Sequence, residues 1–199
     1  MGKSKGNAKR PQASGGGINK TWLIVGLVVA AFIVGFGSLI YLDSQQRADA
    51  EPPEGVEKFD VGSAGQHTQG AVNYEQSPPV GGEHNPVWQN QGFYENPVPN
   101  ERAVHLLEHG GVWIAYSSDL SQQEKDKLQD IVESKNCLIA SPYEDLPAGT
   151  PVVASAWGVQ IKLDGVDDTN LQRFITAYRQ GPQTPEKGAA CTGGTSDTA

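Results

Sequence analysis

The longest apolar run in the chain lies between Trp22 and Leu42, 21 residues without a charge. At 1.5 Å per residue a helix of that length crosses the ~30 Å of a bilayer core. Gly26, Gly35 and Gly37 do not weaken this expectation, because a spanning helix satisfies its backbone internally. Trp22 and Tyr41 stand where interfacial aromatics belong. A single transmembrane helix is therefore expected at residues 21–42. The small residues of Ala48-Asp49-Ala50 have the spacing of a signal-peptide cleavage site. The apolar run exceeds the ~7–15 residues of a secretory signal, however, which favours an uncleaved anchor.

Beyond residue 43 the pattern changes to short apolar runs broken by Gly and Pro. Strands are expected at Glu57 to Val61 and Ala71 to Tyr74. From Ser77 to Glu101 five prolines exclude long regular elements, yet Val87, Trp88, Phe93 and Tyr94 mark an ordered arm pinned by its aromatics. A short helix follows from Glu101 to His109, stopped by Gly110-Gly111. Its 3.6-residue period puts Glu101, His105, Glu108 and His109 on one side and Ala103, Val104, Leu106 and Leu107 on the other.

Val112 to Tyr116 reads as a buried strand. Ser121 with Glu124 is a capping box that starts a surface helix burying Leu128, Ile131 and Val132. Further strands are expected at Cys137 to Ala140, Pro151 to Trp157 and Val159 to Leu163, and a last helix at Thr169 to Arg179. This order implies an α/β or α+β fold: one compact sandwich with a sheet of about four strands covered by helices, after the single N-terminal transmembrane helix. The organisation expected is a disordered cytoplasmic tail at residues 1–20, the span at 21–42, a linker at 43–61, an extracytoplasmic globular domain at 62–191 and a disordered tail at 192–199.

Charge sharpens the picture. Of 15 Lys+Arg, the five at Lys3, Lys5, Lys9, Arg10 and Lys20 precede the span with no acid among them, so the remainder carries 10 bases against 23 acids, a net −13. Bases before the span keep the N-terminus cytoplasmic and send the acidic portion outside the cell membrane. The net charge of −8 argues against a nucleic-acid partner. Both cysteines, Cys137 and Cys191, fall in the exported part, where oxidising conditions permit one intramolecular disulfide; two free thiols are the alternative.

Candidate chemistry centres on His105-Leu-Leu-Glu108-His109, which fits H-x-x-E-H, a zinc-peptidase pattern in which two histidines bind zinc and the glutamate activates water. The helix stops one residue later and the only later acids on a helix lie in a charged, solvated stretch, which leaves the pattern without its third ligand; Glu108 is a catalytic candidate only if the protein is a hydrolase. The spacing itself retains meaning, since side chains at i and i+4 lie about 6 Å apart and can converge on one ion. His67, His84, Glu101 and Glu108 are the further donors within reach, and Met1 is the only methionine, which excludes a thioether copper site. The sharpest assignment is zinc or copper(II) held by His84, His105 and His109. The competing one is that these histidines hydrogen-bond the arm to the core. No phosphate loop, dinucleotide fingerprint, CxxC pair or G-x-S-x-G elbow is present.

The segments PPVGGEHNPVWQNQGFY, VHLLEHGGVWIAY, SPYEDLP, SAWG and PEKGAAC, in this order, resemble a bacterial membrane-anchored family catalogued as domain of unknown function 3105. The resemblance runs from about Gly62 to Cys191. It implies a membrane anchor followed by one domain, and it marks His84, Trp88, Gly92, Tyr94, His105, Glu108, His109, Gly110, Pro142, Trp157 and Cys191 as motif positions. No activity is carried over with it. Members often have a cysteine where this chain has Gln91, which implies that Cys137 has taken over as partner of Cys191 or that Cys191 is unpaired.

The function expected from these readings is a membrane-anchored extracytoplasmic domain that binds a transition metal through histidines. The alternative is a structural or assembly partner of an envelope or membrane protein complex, with the aromatic arm as contact surface. A zinc-dependent hydrolase ranks third.

Overall fold

The computed structural model describes Gly2, residues 20–48 and residues 51–199, and falls into two units, Met1–Ser44 and Gln45–Ala199. The tail expected at residues 1–20 lies outside the described residues except for Gly2 and Lys20, as do Asp49 and Ala50 of the cleavage-like triplet. Helix α1 (Lys20–Ala48) contains one stretch, Lys20–Asp43, long and apolar enough to cross a membrane. The apolar side chains of that stretch are exposed.

The second unit runs through β1 (Glu57–Lys58), β2 (Gly92–Phe93), α2 (Asn100–Glu108), β3 (Val112–Tyr116), α3 (Gln122–Glu133), β4 (Leu138–Pro142), β5 (Val152–Ala156), β6 (Val159–Leu163) and α4 (Thr169–Tyr178). The fold is α+β, with one mixed sheet in the order β1-β6-β5-β3-β4-β2. The sheet has six strands, not the four expected. β1 is the strand expected at Glu57 to Val61, shortened to two residues and joined to the sheet, and β2, also two residues, is the member that no pattern in the sequence marks. β1 pairs antiparallel with β6, so part of the expected linker at 43–61 belongs to the domain. β2 brings the proline-rich arm into the sheet beside β4, in parallel. The strand expected at Ala71 to Tyr74 does not form; there the Val72 N–H donates to the Glu101 carboxylate at 2.9 Å instead of to a ladder.

β3, α3 and β4 form a parallel crossover unit. Helix α3 starts at the expected capping box: the Ser121 hydroxyl accepts from the Glu124 N–H, and the Glu124 carboxylate accepts from the Ser121 N–H. β5 and β6 are joined by Trp157-Gly158 alone, with Gly158 at φ +68° making the tight link. Val112, Ile114 and Tyr116 of β3 pack with Leu128, Val132, Leu171 and Phe174 under α3 and α4. Trp113 and Ala115, facing the other way, pack with Ala103, Val104, Leu106 and Leu107 of α2. A strand covered on both faces is apolar along its whole length, as β3 is.

The double glycine ends α2 by a Schellman motif. Gly110 N–H donates to Leu107 O and Gly111 N–H to Leu106 O, both at 2.9 Å, with Gly110 at φ +89°. The chain then turns directly into β3. Residues 192–199, expected to be a disordered tail, lie along the arm: Asn90 N–H donates to Thr195 O at 2.8 Å, Thr195 N–H to Trp88 O at 3.0 Å, and Ala199 N–H to Pro97 O at 2.8 Å. Backbone pairing of this kind is not legible in a polar, glycine-rich tail.

At Gly110 a Cβ would meet Gln180 Nε2 at 2.8 Å and Thr184 Cγ2 at 2.9 Å, whereas at Gly149, φ +75°, it would meet nothing within 4 Å. Gly149→Ala is expected to cost about 1–2 kcal/mol from the left-handed backbone alone, and Gly110→Ala more. Urea unfolding of the two variants checks this; equal losses would mean that the close approach at Gly110 costs nothing.

Candidate metal centre on helix α2

Helix α2 turns both its faces inward. The apolar face packs on β3, and the titratable face, with His105, Glu108 and His109, is buried as well, because the arm and the C-terminal segment lie over it. The arm is attached through backbone hydrogen bonds, Asn85 N–H to Glu101 O at 3.2 Å and Gln89 N–H to Arg102 O at 3.0 Å. The stretch before the arm is tied to it in turn: Thr68 N–H donates to His84 O at 2.7 Å and His84 N–H to Gln66 O at 2.9 Å, a parallel bridge that sets His67 beside His84.

The result is a cluster of His67, His84, His105 and Glu108 whose donor atoms all lie within 4.8 Å of one another. The three imidazole rings form a nearly equilateral triangle, with centroids 4.8 Å apart for His67 and His84, 4.8 Å for His84 and His105, and 5.0 Å for His67 and His105. Three imidazoles sharing one tetrahedral ion have centroids roughly 5 Å apart, from metal–nitrogen distances of about 2.0–2.1 Å plus the ring. Glu108 Oε2 is 2.9 Å from His84 Nε2 and 4.0 Å from His67 Nε2. These distances bracket the roughly 3.3 Å edge of such a tetrahedron. Trp157 closes the side of His84, edge to face at 6.0 Å, and Trp88 packs on His105 and His109 at 5.6 and 4.9 Å.

Hydrogen bonds to the outer nitrogens define which atoms face the cluster. His84 Nδ1 lies 2.7 Å from Gly82 O and His105 Nδ1 lies 2.6 Å from Asn85 O. A carbonyl oxygen only accepts, so each Nδ1 is the donor and, in the neutral ring, each Nε2 is left with its lone pair. A backbone carbonyl on the far nitrogen is the usual support of a metal-ligating histidine. His84 Nε2 and Glu108 Oε2, fully buried, have no hydrogen-bond partner among the described residues although they are 2.9 Å apart. The other oxygen of Glu108 accepts from the Gly65 N–H at 2.5 Å. His105 is held well below the ordinary histidine value of 6.5, to about 4, first by burial and then by His109, His84 and His67, against the opposing hydrogen bond to Asn85. It is thus neutral, as a ligand must be, at neutral pH.

Residues 66–193 match the family described as Protein of unknown function (DUF3105). The chain belongs to this family. No curated protein and no solved structure matches it.

The DUF3105 segment contains all four cluster residues, and the positions named from its motifs sort into distinct jobs. His84, His105 and Glu108 converge. His109, expected as the third ligand, is not among the four: it caps α2, its ring is 4.6 Å from His105, its Nδ1 donates to Ala190 O at 2.6 Å, and its Nε2 lies 3.5 Å from Glu186 Oε2. It therefore ties the C-terminal segment to the helix. Cys137 and Cys191 are paired, their sulfurs 2.03 Å apart. Gln91 lies between them, donating its N–H to Cys191 O at 2.9 Å and accepting from the Cys137 N–H at 2.7 Å through Oε1. Gln91 thus touches both half-cystines, and Cys137, at φ +57°, is the partner of Cys191.

His67 and Glu108, named from the sequence as donors within reach, stand outside the expected ligand set of His84, His105 and His109. His67 sits 17 residues before His84 in a glycine-rich stretch, and only the bridge between the two brings it in. Glu108 has the residue type and the helical phase of a ligand, whereas the peptidase pattern makes it the water-activating group.

The His105 shift has a defined sign. Between 6.5 and about 4 the unfolded side chain is protonated and the folded one is not, so stability is intact above about 6.5 and falls with pH through that window. The metal-free chain is expected to lose up to about 1.4 kcal/mol per pH unit from this group, with no further contribution below about 4. Urea titrations at a series of pH values measure the slope, and His105→Asn should flatten it.

Proposed function

We propose that the protein is a single-pass membrane protein, N-terminus inside, whose extracytoplasmic DUF3105 domain binds one divalent transition metal ion through His67, His84, His105 and Glu108. One observation carries the metal site: a histidine nitrogen and a carboxylate oxygen, both buried and neither in a hydrogen bond among the described residues, face each other at 2.9 Å. With Nδ1 of His84 donating to Gly82 O, the neutral ring presents a second acceptor to the carboxylate, and a cation between the two removes the conflict. Three nitrogens and one carboxylate oxygen with no thiolate or thioether suit zinc or copper(II).

The anchor is supported by the apolar Lys20–Asp43 stretch, and the orientation by the five bases that precede it. An exported location also suits a disulfide between Cys137 and Cys191.

The full-length chain, purified in detergent and dialysed against zinc or copper, is expected to retain about one ion per chain. Zinc at 100 times its dissociation constant adds about 2.7 kcal/mol, which raises the melting temperature by roughly 5–10 °C for a domain of this size. His84→Ala and Glu108→Gln should abolish both effects, and His109→Ala should leave the ion in place. No retained metal in the unaltered chain, with a melting curve indifferent to zinc, would overturn the proposal.

A further inference from the structure

The four donors are not equivalent. His84 and Glu108 have fully buried side chains and His105 is buried, whereas the His67 side chain is 41% exposed. Each of the three buried groups is fixed by a hydrogen bond behind it: His84 by Gly82 O, His105 by Asn85 O and Glu108 by the Gly65 N–H. The His67 ring makes no hydrogen bond among the described residues, and it is also the ring whose nitrogen is 4.0 Å, not 2.9 Å, from the carboxylate. It rises from a stretch with glycines at 62 and 65, both at φ +73°. Three donors anchored from behind and one solvent-facing donor whose ring has no such hydrogen bond are therefore the composition of the cluster.

Structural metal sites hold four fixed protein ligands, whereas reactive ones hold three and keep the remaining position for water or an exogenous group; two histidines and one glutamate are a known set of the second kind. The charge balance points the same way. A divalent ion with two neutral imidazoles and one carboxylate retains a net positive charge, with the rings of Trp157 and Trp88 packed against His84 and His105. Such a centre attracts a small anion at whichever position reaches solvent.

Resting on the metal-binding function proposed for this cluster, we infer that the centre is open on its His67 side and takes a small monovalent anion at an exchangeable position. His84, His105 and Glu108 hold the ion; His67 borders or exchanges with the incoming ligand. Glu108 is then a ligand, not the water-activating base that the H-x-x-E-H pattern would make it, because both of its oxygens are engaged, one by Gly65 N–H and one toward the ion.

The test uses the full chain in detergent loaded with copper(II), with copper content measured separately from the visible spectrum and the electron paramagnetic resonance signal. Titration with sodium azide is expected to produce a saturable spectral change reaching one azide per copper, with copper content unchanged. His67→Ala, at an exposed position, is expected to keep the copper with affinity reduced by about 10–100-fold, the scale on which loss of a supporting group acts, and to bind azide more tightly. Copper retained with spectra that azide does not alter would establish a closed four-ligand site and overturn the open one while leaving metal binding intact. Complete loss of copper in His67→Ala would make His67 a fixed ligand and overturn it equally. A chain that retains no copper at all would overturn both readings together.

Discussion

A helix that buries its titratable face must find partners for that face other than water. Helix α2 is in this position, since His105, Glu108 and His109 are all enclosed, and an unpaired buried polar group costs about 1–3 kcal/mol. Much of the remaining chain can be understood as the response. The arm contributes Gly82 O and Asn85 O to the outer nitrogens of His84 and His105, the glycine-rich stretch before it contributes Gly65 N–H to Glu108, and the C-terminal segment contributes Ala190 O to His109. What these contacts leave unmet is the inner pair, His84 Nε2 and Glu108 Oε2. The supporting bonds are complete where they define ring orientation and lacking where an ion would sit.

Elements whose signal is periodic were legible in the sequence. The capping box at Ser121, the apolar runs of β3 and β6 and the glycine stop of α2 each have a local physical cause, and each lies within a residue or two of its expected place. What was not legible depends on contacts distant along the chain. β2 exists because β4 offers an edge to pair with, not because Gly92-Phe93 prefers to be extended, and of the strand expected at Glu57 to Val61 only Glu57-Lys58 pairs with β6. The C-terminal residues 192–199 are ordered by Trp88, Asn90 and Pro97, a hundred residues earlier.

The candidate site divides in the same way. The phase of α2 predicts that His105, Glu108 and His109 share a side, and so they do, but phase cannot distinguish which of them points at His84. The C-terminal segment makes that selection. It draws His109 toward Ala190 and Glu186, leaving Glu108 beside His84. His67 enters only through the backbone bridge to His84. A histidine count could name the four candidates but not the set of three that converges.

The pairing of Cys137 with Cys191 spans 54 residues, and the cluster spans positions 67 to 108. These two intervals follow one another without overlap. An ion at the cluster would therefore be a second cross-link in tandem with the first, each closing its own loop of the unfolded chain, so that neither shortens the loop closed by the other and their entropic contributions add. Between them the two staples would tether the domain from the arm to Cys191, and the contact of His109 with Ala190 is where the two loops meet.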